Sequence, residues 1–206
     1  MKCIAVSDTH GKYADISIPS GDVFIHAGDI LQWGKLEELE EFNAWLSTLP
    51  HSYKLIVAGN HDWCFERTPS EARAIMTNGI YLEDESISIE GTSFYGSPWQ
   101  PTFMNWAFNL PRGNKIASKW KLIPRQTDVL ITHGPCYGIL DECFDGKRAG
   151  CEELVHAVKR TNPKYHVFGH IHEGYGILEH NGVTHINASI NNHLYRPENA
   201  PITFTV

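Results

Sequence analysis

The chain has 206 residues, of which 42% are hydrophobic and 20% are charged, and its formal net charge is −7. This composition is typical of a soluble globular protein and excludes an integral membrane protein, because no apolar stretch approaches the ~20 residues that a membrane-spanning helix needs. The negative charge argues against a long nucleic acid as partner, since no cluster of basic residues offsets the repulsion of a polyanion.

At this length, one domain over residues 1–206 is the simplest expectation. Five cysteines without CxxC spacing predict reduced thiols and a cytoplasmic location rather than a structural zinc site. Met1 and Lys2 lead directly into the first predicted strand, so we expect no cleavable signal peptide. No feature of the sequence indicates an oligomeric state.

The first three predicted strands are short, β-branched apolar runs that end at residues able to bind a metal. A helix is predicted between the second and the third, because helical periodicity runs from Leu36 to Leu49 and Pro50 follows. The three strands are followed by Asp8-Thr9-His10, by Gly28-Asp29 and by Gly59-Asn60-His61-Asp62.

The middle of the chain is predicted to hold a helix and a hairpin. Thr68-Pro69-Ser70-Glu71 reads as a capping box with proline at the first helical position, and Gly79 is expected to end that helix. Ser86–Ile89 and Thr92–Tyr95 then flank Glu90-Gly91, which predicts a β-hairpin.

Two further strands in the C-terminal half also end at metal-binding residue types. Val129–Thr132 is followed by His133-Gly134, and Tyr165–Phe168 is followed by Gly169-His170-Ile171-His172. A helix is predicted between these strands, over about Cys151 to Arg160.

The chain is predicted to end in antiparallel strands. Gly176–Glu179 and Val183–Asn187 flank the favoured turn pair Asn181-Gly182, and Ile202–Val206 forms the last strand. Alternating strands and helices combined with hairpins predict an α/β fold, in which two mixed sheets pack face to face with helices outside.

Ligands of open α/β sheets bind beyond the carboxyl ends of the strands. If the five strands lie in one sheet, their ends bring two aspartates, one asparagine and up to five histidines to one edge. A single histidine at a strand end is more often a packing residue than a ligand. Five strand ends that all carry ligand atoms are hard to obtain by accident, which favours a site for two divalent cations.

The spacing predicts how the ligands divide between two ions. Residues two apart on an extended chain point the same way, as Asp8 and His10 would. Asp29 has two carboxylate oxygens and is expected to bridge the ions. A hydroxide between the ions, formed because metals lower the pKa of water toward ~7, would attack phosphorus in line with the leaving alkoxide. One ion is assigned to Asp8, His10, Asp29 and His172, and the other to Asn60, His133, His170 and Asp29.

His61 is the predicted catalytic residue. It follows Asn60 on a turning backbone and is expected to project toward the substrate, as a general acid or as a charge-stabilising donor to the phosphate and the leaving oxygen. Asp62 could orient it through a hydrogen bond, or could be a simple turn cap.

The five motifs occur in the order found in the calcineurin-like metallophosphoesterases, which the chain resembles. The stretches Gly96–Pro101, Trp106–Gly113 and His166–Gly176 further resemble the metallophosphoesterase-domain-containing subfamily of animals and microbes. The resemblance implies a four-layer α/β/β/α sandwich, two divalent ions (manganese first, with iron or zinc as alternatives) and phosphodiester hydrolysis. Some animal members have glycine where this chain has His170, so an intact His170 implies a complete second ligand set and the more active kind of enzyme.

The aromatic segment from Trp99 to Trp120 is the candidate substrate wall. Trp99 could stack on a nucleobase while Arg112 reaches a phosphate or a carboxylate. Alternatively, the aromatic residues bury themselves under the sheet edge and Arg112 is exposed.

The sequence therefore predicts a dinuclear metal-dependent phosphodiesterase that acts on small phosphodiesters such as cyclic nucleotides, with no membrane partner. Two kinds of alternative stay open. One is another phosphoesterase, either a nuclease or a dinucleoside-polyphosphate hydrolase. The other is a non-catalytic scaffold of the same fold that binds proteins.

Overall fold

The computed structural model describes residues 1–206. The α-helices are α1 (Leu36–Thr48), α2 (Trp63–Arg67), α3 (Pro69–Ile75), α4 (Asn114–Trp120) and α5 (Glu152–Thr161). The strands are β1 (Lys2–Val6), β2 (Val23–Ala27), β3 (Tyr53–Val57), β4 (Ile80–Tyr81), β5 (Glu85–Ile89), β6 (Thr92–Ser97), β7 (Gln100–Pro101), β8 (Asn109–Leu110), β9 (Val129–Thr132), β10 (Tyr165–Phe168), β11 (Gly176–His180), β12 (Val183–Asn187) and β13 (Ile202–Thr205).

The strands form two large mixed sheets rather than one. The first has the order β13-β1-β2-β3-β4, in which only β13 is antiparallel. The second has the order β11-β12-β10-β9-β6-β5, with antiparallel edge strands β11 and β5. The expectation that the five motif-bearing strands share one sheet is wrong, because β1, β2 and β3 lie in the first sheet and β9 and β10 in the second. Their carboxyl ends still meet, since the Ser7 amide donates to the Ala188 carbonyl across the sheets at 2.8 Å.

Apolar cores on both sides of each sheet explain why the central strands are continuous apolar runs. On β2, Val23 and Ile25 belong to the core between the sheets, whereas Phe24 belongs to the core under α1. On β9, Ile131 faces the other sheet, and Leu130 packs in the core with α4 and α5. The layers are therefore α/β/β/α, which confirms the predicted four-layer sandwich.

The predicted helices begin and end close to the expected residues, with two differences, and the short helix α2 was not predicted. The Thr68 hydroxyl donates to the Cys64 carbonyl at 3.1 Å instead of capping α3, so the predicted capping box does not form, and α3 ends at Ile75 before Gly79. The aromatic segment, which we expected to be a loop, contains α4 and the short pair β7–β8. No helix combines the length and the apolar character that crossing a membrane requires.

Both predicted hairpins form with tight turns. Glu90 and Gly91 have φ of 48° and 83°, and Asn181 and Gly182 have φ of 52° and 80°. Positive φ at both central residues is the type I′ geometry that matches the twist of the flanking strands.

Candidate metal centre

The predicted ligands lie together where the strands of both sheets end. Their ligand atoms form three overlapping groups, within each of which all atoms lie within 4.8 Å of one another. Asp29 belongs to two of them, so these two groups share a carboxylate. The groups are Asp8, His10 and His172; His10, Asp29 and His61; and Asp29, His133 and His170.

Asp29 offers one oxygen to each side of the site. Its Oδ2 lies 3.7 Å from His10 Nε2, and its Oδ1 lies 3.4 Å from His133 Nε2. Asn60 Oδ1 lies 3.0 Å from the same His133 nitrogen. On the other side, His172 Nε2 lies 3.5 Å from Asp8 Oδ1. The arrangement has the shape of two adjacent ligand sets joined by one carboxylate.

The backbone reaches this arrangement through left-handed conformations. Asp8, His10, Asp29 and His170 have φ of 54°, 45°, 52° and 68°. Positive φ costs free energy in a residue other than glycine and clusters at functional sites. The predicted reason for the pairing of Asp8 with His10 is thus wrong, because β1 ends at Val6 and neither residue is extended. Each side chain is aimed into the site by a sharp turn.

Glycine precedes three of the ligands, Asp29, Asn60 and His170, because no Cβ would fit there. A Cβ at Gly59 would lie 2.7 Å from His133 Cε1, and closer still to the backbone and carboxylate of Asp29. At Gly169, a Cβ would meet the carboxylate of Asp8 and the side chain of Ser7. These glycines therefore permit the close approach of strand ends from different sheets.

Asp8 is held by residues that follow β12. Its Oδ2 accepts hydrogen bonds from Ser189 Oγ at 2.8 Å and from the His170 amide at 2.9 Å. Asn191 Nδ2 donates to the Asp8 carbonyl at 2.8 Å. Asp8 Oδ1 is buried and has no hydrogen-bond partner in the protein, so it is free to bind a cation.

Sequence reasoning missed the contribution of Asn191. The available signal was the position of β12, which runs parallel to β10 and therefore ends at the same edge.

Backbone carbonyls fix the tautomers of three histidines. The Nδ1 atoms of His133, His172 and His61 lie 3.0, 3.1 and 3.0 Å from the carbonyls of Ala27, Asn192 and Gln32. A carbonyl only accepts, so each Nδ1 carries the hydrogen and each neutral ring has its lone pair on Nε2. His133 and His172 direct that atom at the carboxylates, which is the arrangement of metal-binding imidazoles. Neutral imidazole, carboxylate and amide donors together fit divalent Mn, Fe or Zn.

The electrostatics of the site also favour cations. Burial is the largest cause that lowers the pKa of His10 to about 4 and that of His170 to about 4, with neighbouring histidines adding to it, so both rings are neutral as ligands must be. Burial would likewise lower the pKa of His133, but the charge and hydrogen bond of Asp29, with the charge of Asp8 and the Ala27 carbonyl, together outweigh it and raise that pKa to about 9. Burial would raise the pKa of Asp29, which the charge of His133 instead holds well below its ordinary value. The field that keeps a proton on His133 would equally attract a metal ion.

His61 lies against aromatic rings at the edge of the site. The Trp106 ring stacks on it with centroids 4.2 Å apart and planes 23° apart, and the His10 ring meets it edge-on at 4.5 Å. The predicted hydrogen bond from His61 to Asp62 does not form. Asp62 instead accepts from the backbone amides of Gly59 at 2.7 Å, Leu31 at 2.9 Å and Ile30 at 3.2 Å, as a turn cap does. Burial, followed by the charge of Asp29, nevertheless raises the pKa of Asp62 to about 7.

A cavity of 330 Å³ opens beside His170 and His172. Arg112 lines it, but its guanidinium donates to the Gly150 carbonyl at 2.8 Å and pairs with Glu152. Trp99 does not line it. The Trp99 indole donates to Asp84 at 3.0 Å and lies under the Lys119 ammonium, so the protein itself engages both its edge and its face, and its stacking on a substrate stays a prediction. The aromatic residues that do line the cavity are Phe103 and Tyr195.

Comparisons with known proteins agree with this geometry. A sequence profile of the calcineurin-like phosphoesterases matches residues 1–174. The chain is 43% identical to metallophosphoesterase domain-containing protein 1 of Homo sapiens over 97% of this chain and 69% of that protein. A UPF0046 protein of Caenorhabditis elegans is 39% identical over the whole of this chain and 75% of its own length. The crystal structure of TT1561 from Thermus thermophilus superposes with a TM-score of 0.62 at 16% identity, covering 90% of this chain and 88% of that one, which shows a shared fold.

Proposed function

The chain belongs to the calcineurin-like phosphoesterase family, whose members are metal-dependent phosphoesterases, and we propose that it hydrolyses small phosphodiesters, including cyclic nucleotides. The observation that carries the proposal is the position of Asp29, whose two oxygens face different histidines at 3.7 and 3.4 Å. This geometry supports a bridging carboxylate between two divalent ions, with manganese as the first choice.

The proposed ligands fit both the donor chemistry and the charge of such a pair. Asp8 and Asp29 are the carboxylates among the ligands, so two divalent ions would leave a net positive centre for an anionic phosphate. When bound, the ions would polarise the phosphoryl oxygens and lower the pKa of water toward ~7. The first set is Asp8, His10, Asp29 and His172, and the second is Asn60, His133, His170 and Asp29.

His61 is the proposed proton donor to the leaving group. Its Nδ1 hydrogen is fixed on the Gln32 carbonyl, so any proton that it transfers must come from Nε2. The Trp106 ring and the His10 ring restrict its rotation, which aims Nε2 without further reorganisation. As the imidazolium it would protonate the departing alkoxide, and as the neutral ring it would then recover a proton from solvent.

The cavity beside His170 and His172 supports a substrate of nucleotide size. Its volume of 330 Å³ falls in the range of small-molecule sites. Phe103 is 53% exposed and Tyr195 is 46% exposed, so both offer aromatic faces on which a base could stack. Tyr195 also contacts the His10 and His172 rings, with centroids 5.0 and 5.1 Å apart. A base stacked here would place its phosphate close to the ligands.

The test is hydrolysis of bis(4-nitrophenyl) phosphate and of a panel of cyclic nucleotides by the purified chain with Mn²⁺. We expect turnover that a chelator abolishes and that Mn²⁺ restores. A protein that binds two ions per chain but hydrolyses none of these diesters would contradict the proposal and favour the scaffold alternative.

A further inference from the structure

A second cavity lies on the outer face of the second sheet, between α5 and the β11–β12 hairpin. Its volume is 390 Å³. Val155, Val158 and Val183 contribute apolar walls, and Lys159 stands at the rim. Its lining includes no acidic side chain and none of the proposed metal ligands. It is therefore separate from the candidate metal centre.

A buried histidine lines this cavity. His185 is 2% exposed, and its Nδ1 lies 3.2 Å from Nδ1 of His166. His166 Nε2 lies 2.8 Å from the Thr132 hydroxyl, which in turn donates to the Gly134 carbonyl at 2.7 Å. The side chains thus form a continuous chain of hydrogen bonds from the strand end at Thr132 to the cavity wall.

The donor of each hydrogen bond in this series follows from its last acceptor, the Gly134 carbonyl. The Gly134 carbonyl can only accept, so the Thr132 hydroxyl proton is committed to it, and His166 Nε2 must donate to Thr132. Burial lowers the pKa of His166 well below its ordinary value, so that ring is neutral and its Nδ1 is an acceptor. His185 must then donate from Nδ1.

This direction leaves His185 Nε2 as an acceptor without a partner. Burial, followed by the charge of His180, lowers the pKa of His185 to about 4, so its ring is neutral too. No group of the protein bonds to Nε2, and the atom is not fully enclosed. The open space that the residue lines is the cavity. A lone pair of a side chain that is 98% buried therefore faces a pocket in which six of the eleven lining residues are hydrophobic; Asn162, His180 and Asn181 are among its polar members.

We propose that this cavity is a ligand site for a small apolar molecule with one hydroxyl donor, of the phenol class. The ring of such a molecule would pack against the valine side chains while its hydroxyl donates to His185 Nε2. An anion without a hydrogen-bond donor would leave that lone pair unpaired, and an organic cation would be repelled by Lys159, which also lines the cavity. A neutral molecule that has one hydrogen-bond donor and an apolar body meets both conditions.

Paired ligands test the role of the donor. 4-Methylphenol and 4-methylanisole have closely similar apolar bodies, but only the first can donate a hydrogen bond. In an NMR titration of the full chain, we expect saturable shifts of the His185 and Val183 amides with millimolar dissociation constants. The phenol should bind about fivefold more tightly than the ether. Equal affinities, or no saturable shift for either, would overturn the proposal.

Paired variants test the location. Val155 is 37% exposed on α5, so Val155→Trp can fill the cavity mouth without disturbing the core, and it should abolish phenol binding. Ile177→Trp is the matched control, because Ile177 is 56% exposed on β11 and does not line the cavity. Phenol binding that survives Val155→Trp would place the site elsewhere. The assay needs neither metal nor substrate, so its result is independent of the proposed phosphoesterase activity.

Discussion

The protein has two groups of buried histidines, and their surroundings differ. At the metal centre, His10 and His133 face the Asp29 carboxylate from strand ends with left-handed backbone at His10 and Asp29. On the outer face of the second sheet, His166 and His185 sit inside regular strands and face each other, and no carboxylate influences the pKa of either. Burial lowers the pKa of His10 and of His185 alike, to about 4, so both of these rings are neutral. The carboxylates of Asp8 and Asp29, which are present only in the first group, are what makes neutral histidine nitrogens a site for cations.

The largest expected effect comes from removing the charge of Asp29, which both proposed ions would share. Asp29→Asn keeps the shape of the side chain but weakens the binding of both proposed ions, so we expect kcat/KM on a chromogenic diester to fall about 10³- to 10⁴-fold. Metal content, measured by plasma mass spectrometry, should drop from two per chain. Asp145→Asn is the control, since Asp145 pairs with Lys147 on the surface. Unchanged metal content in Asp29→Asn would rule out a bridging role.

A smaller loss is expected from replacing the proposed proton donor, which is not assigned as a ligand. His61→Ala should reduce kcat about 100-fold or more while leaving two metals bound, because it removes the proton donor. His156→Ala, on the exposed face of α5, should keep the wild-type rate. If His61→Ala retains both its metals and its rate, the proton donor lies elsewhere.

The close contact between the sheets predicts that alanine destabilises the protein more at Gly169 than at Gly134. Gly169→Ala would press a Cβ against Asp8 and Ser7, so we expect a loss of stability of about 1–3 kcal/mol and weaker metal binding. Gly134→Ala is the matched control beside His133, because its Cβ would meet only ordinary contacts at 3.5 and 3.9 Å. Denaturant unfolding and metal titration check both variants, and equal behaviour of the two would contradict the packing argument.

The smallest effect concerns the second group of histidines. The pKa of His185 is about 4 in the folded chain and ~6.5 in the unfolded chain. The contribution of the neutral ring to the free energy of unfolding is therefore fully present above pH 6.5. That stability is lost as pH falls from 6.5 toward 4, where the unfolded state binds the extra proton. We expect His185→Gln to flatten the fall in unfolding free energy between pH 7 and pH 5 by about 2 kcal/mol. Urea titrations of the chelator-treated chain measure it, with His156→Gln as the control, because His156 is exposed on α5 and does not influence the pKa of His185. A slope unchanged by His185→Gln would show that this ring does not titrate as its burial implies.

Local sequence was enough to predict most of the fold. Apolar runs gave the strand positions, Pro50 marked the end of the first helix, and the pair Asn181-Gly182 predicted its hairpin, because each signal acts within a few residues. The confirmed family resemblance supplied the layer order. Helix α4 escaped notice because it is one short helix that begins after Gly113 in a segment dominated by aromatic residues.

The sequence by itself determined which residue types stand at the strand ends, and these are the side chains that the structure brings together; their binding of metal remains a prediction. Only the tertiary structure decided that they come from two sheets, that Trp106 rather than Trp99 lies on His61, and that Asp62 binds backbone amides. The physical reason is the distance along the sequence over which each signal acts. Strand and turn signals are set by neighbouring residues, whereas the left-handed turns at the ligands are held by contacts such as that between Ser189 and Asp8, which are 181 residues apart.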